Sequence, residues 1–309
     1  VLPKESPALV ASNLLRERFD GRESSPIEIL VQGSDSAVNE YLDQLQDQPD
    51  IVRVGIVPTD QDTSWVRINA ITDLEPRSPE GLEQTVSLRG LESNLDQVLI
   101  GGGGAYYTDS QQGIEQALPL AALWIFVSTF ILLFLFTGSV LLPLKAILLN
   151  VLSLGAILGV LSFVFQNGHL QWLLGEYSVT GTIDTSSLVM VAVVAFGLSM
   201  DYELFLLSRI KEQHDAGMNT LNSVAIGLQR SGRIITAAAF ILAVTFGSFA
   251  SSGVSIMKML GFGIAFAILI DATIVRALLV PALMRLFGAA NWWAPKWLTR
   301  IYKKVNLTH

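Results

Sequence analysis

Five apolar stretches, each long enough to cross the roughly 30 Å of bilayer hydrocarbon that needs about 20 residues, occupy most of the chain after Ile114. They are Leu118 to Phe136, Leu141 to Phe165, Ser187 to Leu207, Ile234 to Ser251 and Met257 to Leu279. In lipid the backbone has to satisfy its own polar groups, so such runs are expected as helices. The composition agrees: 51% of the residues are apolar and only 15% charged. The net charge of -7 belongs mainly to the first 115 residues, which hold most of the acidic ones.

Charge placement orients the spans. The segment from Ser208 to Arg233 carries Arg209, Lys211, Arg230 and Arg233, and the tail after Leu286 carries Lys296, Arg300, Lys303 and Lys304. Both are expected on the cytoplasmic side. The segment from Gln166 to Ser186 has no Lys or Arg, which places it outside, and an odd number of spans then places residues 1–115 outside as well. Lys258 is the one contrary charge. A multi-pass protein of the plasma (inner) membrane is expected, with its C-terminus cytoplasmic. The chain opens at Val1 with no initiator methionine and no signal segment, so it reads as the later part of a longer polypeptide, cut just after a transmembrane helix.

Three regions follow: an extracytoplasmic domain (1–115), a five-helix membrane domain (116–288) and an interfacial or cytoplasmic tail (289–309). In the first, Pro26 to Gly33 reads as a strand. Asp35 to Gln46 has helical spacing of Val38, Tyr41, Leu42 and Leu45. Ile51 to Val57 and Ser64 to Ile71 read as a hairpin around a polar turn at Pro58 to Thr63, Ser78 to Leu91 as a helix capped by Ser78, Pro79 and Glu80, and Gln97 to Ile100 as a last strand. The fold class is therefore α+β, a ferredoxin-like βαββαβ domain joined to an all-α bundle of five spans. In the tail, Trp292, Trp293, Trp297 and Tyr302 stand among basic residues, as in a segment lying along the membrane interface.

Several classes of chemistry are excluded. There is no cysteine, hence no disulfide, thiolate metal site or thiol nucleophile. His169, His214 and His309 lie far apart and make no ligand spacing, so no metal is expected. Scattered basic residues do not form a nucleic-acid footprint. The run Gly101 to Gly104 is not followed by Gly-Lys-Ser/Thr, so it is not a phosphate loop and is expected as a flexible turn. With no nucleotide motif, no cofactor is expected, and energy for transport has to come from an ion gradient or another subunit.

Asp201 lies about 15 residues from the outer end of the third span, roughly 20–23 Å along a helix. A carboxyl there costs a few kcal/mol and is usually retained for a pathway, relay or partner charge. Its two roles are proton carrier and interhelix hydrogen-bond partner; Ser or Asn would fill the second at lower cost, which favours the first. Tyr202 follows it and offers a hydroxyl to a neighbouring helix. In the fifth span Asp271 sits at a similar depth, either facing Asp201 in a relay or making a structural pair. Arg276 is five residues on; in a regular α-helix the two side chains diverge by about 140°, so Arg276 is expected to snorkel to the cytoplasmic surface or cap another helix. Asn150, Thr236, Thr245 and Ser248 are candidates for interhelix hydrogen bonds or a wet path. Gly155 and Gly159 form a GxxxG pair suited to close helix packing.

Gly197, Asp201 and Tyr202 form a GxxxDY pattern followed by ELFLLSRIKE. Four further stretches occur in order: IGGGGAYYTD, LLPLKAILLNVLSLGAILGVL, SGRIITAAAF and LIDATIVRALLVPALM. Together they resemble the MMPL family, a branch of the RND superfamily, over nearly all of residues 97–286. The resemblance implies a second half of a two-half protein, each half built of one helix, a porter domain and five more helices, with Gly197 a packing position of its motif. It implies a proton relay pairing Asp201 and Tyr202 with the Tyr and Asp of a second GxxxDY in the other half. The function implied is proton-driven export of lipids or other hydrophobic molecules, with the proton as coupling ion and without enzymatic activity. The competing classes are a regulatory or accessory RND-like protein, sterol-sensing-like or a protein-translocation accessory, and an intramembrane aspartyl protease, whose YD and GxGD motifs differ from the DY and GLSMD here.

Overall fold

The computed structural model describes residues 7–18, 23–58, 64–177, 179 and 183–305. The turn expected at Pro58 to Thr63 lies, from residue 59 on, outside the described residues, as does His309. The chain divides into two compact units, residues 1–116 with 178–182, and residues 117–177 with 183–309.

In the first unit, helix α1 (Pro7–Arg18) precedes β1 (Ile27–Gln32), α2 (Asp35–Gln46), β2 (Ile51–Val57), β3 (Trp65–Thr72), α3 (Pro79–Arg89) and β4 (Gln97–Gly102). The strands lie in the order β2-β3-β1-β4 and every pairing is antiparallel, which is the βαββαβ arrangement expected. Both internal helices start where a serine caps them: Ser34 accepts from the Ala37 N–H and Ser78 from the Gly81 N–H, with Pro79 at the first turn. Period-two alternation sends Ile29, Val31, Ile68 and Ala70 to one face, where they are buried with Val38, Tyr41, Leu45 and Leu88. Each large aliphatic residue buried there contributes about 1.5–3 kcal/mol. The opposite face carries exposed Leu30 and Leu99 and a 3.3 Å ion pair of Arg67 with Glu28.

The four glycines are not the flexible turn expected. Gly101 and Gly102 end β4, while Gly103 and Gly104 begin α4 (Gly103–Thr137). The strand-to-helix change is made at Gly102, with φ +94° and a Cβ position only 2.7 Å from the Pro26 carbonyl oxygen, a conformation open to glycine alone at low cost. Gly81 is tighter still, since a Cβ would stand 2.1 Å from the Glu75 carbonyl oxygen. Gly81→Ala is therefore expected to lower the stability of this unit by about 1–3 kcal/mol, read as an earlier midpoint in urea denaturation followed by circular dichroism; an unchanged midpoint would contradict the close approach.

The second unit continues through α5 (Leu141–Leu161), extended by a π turn to Gln166, then α6 (Gln171–Leu174), α7 (Thr185–Asp215), α8 (Thr220–Ser248), α9 (Ser255–Ile270), a π-helical segment (Asp271–Leu279), α10 (Val280–Phe287) and α11 (Lys296–Val305). Among the described residues, five helical stretches are long and apolar enough to cross a membrane: Gly103–Thr137, Leu141–Gln166, Thr185–Asp215, Thr220–Ser251 and Ser255–Trp292. Several outrun the apolar runs. Most of the segment from Ser208 to Arg233, read as a loop, is helix: α7 stops only near Gly217, which has φ +91°, and α8 starts where the Asn219 side chain accepts from the Asn222 N–H at 2.9 Å. Charged residues leave the hydrocarbon without leaving the helix.

The contrary Lys258 is buried, and its ammonium donates to the carbonyl oxygens of Leu174 (2.5 Å) and Glu176 (3.2 Å). It ties α9 to the loop before α7. The tail also begins inside the bundle: Asn291 is fully buried, and Trp292 stacks on His214 with ring centroids 4.0 Å apart.

Candidate functional site

Helix α7 carries two stripes at i, i+4 spacing. Val191, Ala195, Ser199 and Glu203 are buried, whereas Val193, Gly197 and Asp201 are exposed. Two residues of α-helix turn through about 200°, so Ser199 and Asp201 point to opposite sides. Of the two alternatives for Asp271, this arrangement agrees with a structural pair and not with one facing Asp201. Asp271 is bound on the buried side, where Ser199 Oγ donates to its Oδ1 at 2.8 Å. Two carboxyls on opposite faces of a helix do not share a proton as an aspartyl-protease dyad must.

Asp271 pairs with Arg276 at 2.5 Å, against the expectation that the two diverge. The reason is the local winding. Asp271–Leu279 is π-helical, and the Val280 N–H donates to the Val275 carbonyl; bonds from i to i+5 bring residues five apart onto one face. This winding lies immediately before Pro281, whose missing N–H leaves the Ala277 carbonyl without an α-helical donor. Arg276 neither snorkels nor caps a helix end. It is 1% exposed and Asp271 6%, and its Nη2 donates to Ser199 Oγ at 3.2 Å and to the Ser199 carbonyl in mid-helix. Its guanidinium lies 4.9 Å from the centroid of the Tyr202 ring, a cation–π contact. Its Nε and Nη1 are buried without a hydrogen-bond partner.

The structure thus joins Asp271 and Arg276 through Ser199, sets the Tyr202 ring against Arg276, and leaves Asp201 exposed on α7. Asn150 is buried on α5. The hydroxyls of Thr236, Thr245 and Ser248 bond back to carbonyls of α8 itself and bridge no helices. The glycines expected to pack helices also differ: among the described residues, and apart from their own helix, nothing lies within 4 Å of a Cβ at Gly155, Gly159 or Gly197. The close approaches are at Gly227, where a Cβ would stand 2.6 Å from Ile210, and Gly261, 2.6 Å from the Phe246 carbonyl oxygen. Small residues specify approach only where a second helix arrives, which one sequence does not show.

Two buried charges escaped the sequence reading. Glu203, 7% exposed, and Lys145, 8% exposed, line one cavity with Leu142, Leu207, Val280 and Met284. The Lys145 ammonium donates to Asn291 Oδ1, and Asn291 Nδ2 donates to the carbonyls of Met284 (2.7 Å) and Gly288 (2.6 Å). Both charges lie near span ends, where charged side chains commonly reach water; their burial is a tertiary fact. Among the described residues, no group of three or more His, Asp or Glu is placed to hold a metal ion.

The sequence model of the MMPL family matches residues 1–305. The chain belongs to the MMPL family. It is 43% identical over 212 residues, 68% of its length, to the trehalose monomycolate exporter MmpL3 of Mycobacterium tuberculosis, of which the match covers 22%. It is 33% identical over 279 residues, 89% of its length, to the mycolic acid-containing lipids exporter MmpL11 of Mycolicibacterium smegmatis, covering 29% of that protein. The heme uptake protein MmpL11 of Mycobacterium tuberculosis is 34% identical over 262 residues, 84% of the chain and 27% of the relative. The chain spans less than a third of the length of these relatives. Three of the MMPL-like stretches meet at the buried cluster: GLSMDYELF in α7, LIDATIVRALLVPALM from α9 to α10, and LLPLKAILLN in α5. Of the other two, SGRIITAAAF in α8 carries Ser231, fully buried, with its hydroxyl on the Gly227 carbonyl at 2.7 Å, and IGGGGAYYTD runs from β4 into α4.

Proposed function

We propose that this chain is one half of an MMPL exporter that moves lipids or other hydrophobic molecules and is driven by protons. The observation that carries the reading is the asymmetry of α7. One face holds a buried, hydrogen-bonded charge cluster in an apolar bundle, and the other presents an ionisable carboxyl, Asp201, outward at the depth of the spans. An exposed carboxyl in hydrocarbon is unfavourable by a few kcal/mol, so it calls for a partner, and the exposed small residue Gly197 one turn away leaves room for a helix to approach. The partner is the other half, with its own GxxxDY. Protonation of Asp201, tuned by Tyr202 whose ring already holds Arg276, biases the bundle. A proton crossing 100 mV supplies about 2.3 kcal/mol, enough to shift a two-state equilibrium by about fiftyfold. The names of the relatives support a hydrophobic cargo, lipid in two and heme in one.

The test is efflux of a fluorescent lipid from proteoliposomes holding the complete two-half protein. Efflux is expected only under an imposed pH gradient and is expected to stop on addition of a protonophore. Efflux that persists without the gradient would overturn the reading.

In the same reading residues 1–115 lie outside, and the α7–α8 connection and C-terminus lie in the cytoplasm. Since the chain has no cysteine, single cysteines report cleanly. Glu92→Cys is expected to react with a membrane-impermeant maleimide in intact cells, and Met218→Cys only after permeabilisation; both positions are exposed. The reverse pattern would invert the topology.

A further inference from the structure

The buried charges of the membrane unit fall into three groups. Lys258 is held by two carbonyls, Asp271 and Arg276 hold each other, and Glu203 and Lys145 remain. These last two are both more than nine-tenths buried, yet among the described residues no direct ion pair joins them. Between them lies a cavity of about 10 Å³, about the room one water needs. Two charged groups that line one small, otherwise apolar cavity without direct contact are a setting for a bridging water. A structural ion pair at such depth would need direct, fully satisfied contact to offset its desolvation.

Glu203 stands one helical turn from Ser199 on the buried stripe of α7, so it continues the line that starts at the Asp271–Ser199–Arg276 cluster. The charged groups acting on it are Arg276 and Asp271 from the π segment and Lys145 from α5. The α10 residues lining the cavity, Val280, Leu283 and Met284, are apolar. Lys145 is fixed at the far side by Asn291 and lies 5.4 Å from the centroid of the Phe287 ring. Arg276, which does not line the cavity, has its Nε and Nη1 buried without a hydrogen-bond partner among the described residues.

We infer that Glu203 and Lys145 form a second proton-binding site, bridged by water, that carries protons between the Asp271–Ser199–Arg276 cluster and the Asn291 end of the bundle. The step is balanced. A proton arriving from the cluster forms an O–H bond on Glu203, and the ammonium of Lys145, now without its counter-charge, breaks an N–H bond and gives that proton to solvent water on the Asn291 side, which carries it away as hydronium. Transfer of the proton from Glu203 to the Lys145 amine restores the neutral pair. One proton enters and one leaves. The inference rests on the proposed proton-driven function, but the site's titration is measurable without transport.

The decisive measurement is infrared difference spectroscopy of the complete transporter between two pH values. A carboxylic-acid C=O band that appears on acidification is expected to vanish in Glu203→Gln, to change position in Glu203→Asp and to persist in Asp201→Asn. In proteoliposomes Glu203→Gln is expected to lower proton flux about 100-fold, the low end for removing a positioned proton-transfer group, while Glu203→Asp retains flux. If Glu203→Gln fails to accumulate, the band position in Glu203→Asp decides alone. A spectrum unchanged by both Glu203 substitutions, or wild-type flux in folded Glu203→Gln, overturns the inference. A protein that titrates Glu203 and conducts protons but exports no lipid would overturn the proposed function and support this site.

Discussion

Asp201→Asn is expected to abolish gradient-driven efflux, by about 100-fold or more, in a complete transporter that still folds and inserts at near-normal levels. Asparagine matches aspartate in size and keeps most of its hydrogen bonds but does not titrate. Within this chain Asp201 is exposed on α7, so its replacement disturbs no packing in the bundle. Tyr202→Phe keeps the ring beneath Arg276 and loses only a hydroxyl, worth about 0.5–1.5 kcal/mol; weaker, pH-shifted transport is expected. Lipid efflux and proton flux in proteoliposomes check both. Full gradient-driven efflux by Asp201→Asn would remove it from the relay and leave it an interhelix hydrogen-bond partner.

Arg276→Met is expected to destabilise the membrane unit by about 3–5 kcal/mol, the usual effect of removing one partner from a buried ion pair. Asp271 would keep only Ser199 Oγ, and the Ser199 carbonyl would lose its arginine donor. The damage comes from the charge left behind. The double variant Asp271→Leu, Arg276→Met should therefore melt well above Arg276→Met alone, because an apolar pair of similar volume has no desolvation to offset. Thermal unfolding in detergent, followed by circular dichroism, separates the cases. A double variant whose loss equals the sum of the two single losses would show that the residues do not act as a pair.

The contrast between these variants follows from how α7 is used. Asp201 and Ser199 are two positions apart in one apolar run, and hydropathy treats them alike. One ends exposed on α7 and the other in a buried charge cluster, so substitution at Asp201 should alter function without folding, and substitution at the Ser199 partners should alter folding first.

Much of this was legible beforehand. The strands of the first unit lie within one or two residues of their expected bounds because alternation of β-branched residues, Ser34 and Ser78 as caps, and Gly33 after β1 are local signals. The five spans follow from length and apolarity alone. The GxxxDY motif marked α7 as the candidate functional helix. Helix ends were less legible, since charges at Arg209 and Arg230 mark where lipid stops and say nothing of where backbone hydrogen bonding stops.

What the sequence by itself determined is therefore the architecture, a βαββαβ domain and five membrane-spanning helices, and the family. Both rest on short-range periodicity and motif spacing, which are properties of the chain taken in order. The tertiary structure decided which polar side chains meet. It placed Arg276 on Asp271 through a π winding that no α-helical wheel anticipates, turned Asp201 away from both, and brought Lys145 and Glu203, 58 positions apart by their numbers (203 minus 145), into one cavity. Contacts of that kind depend on the winding of a helix over a few residues and on which face a distant helix covers, and neither is encoded in local spacing.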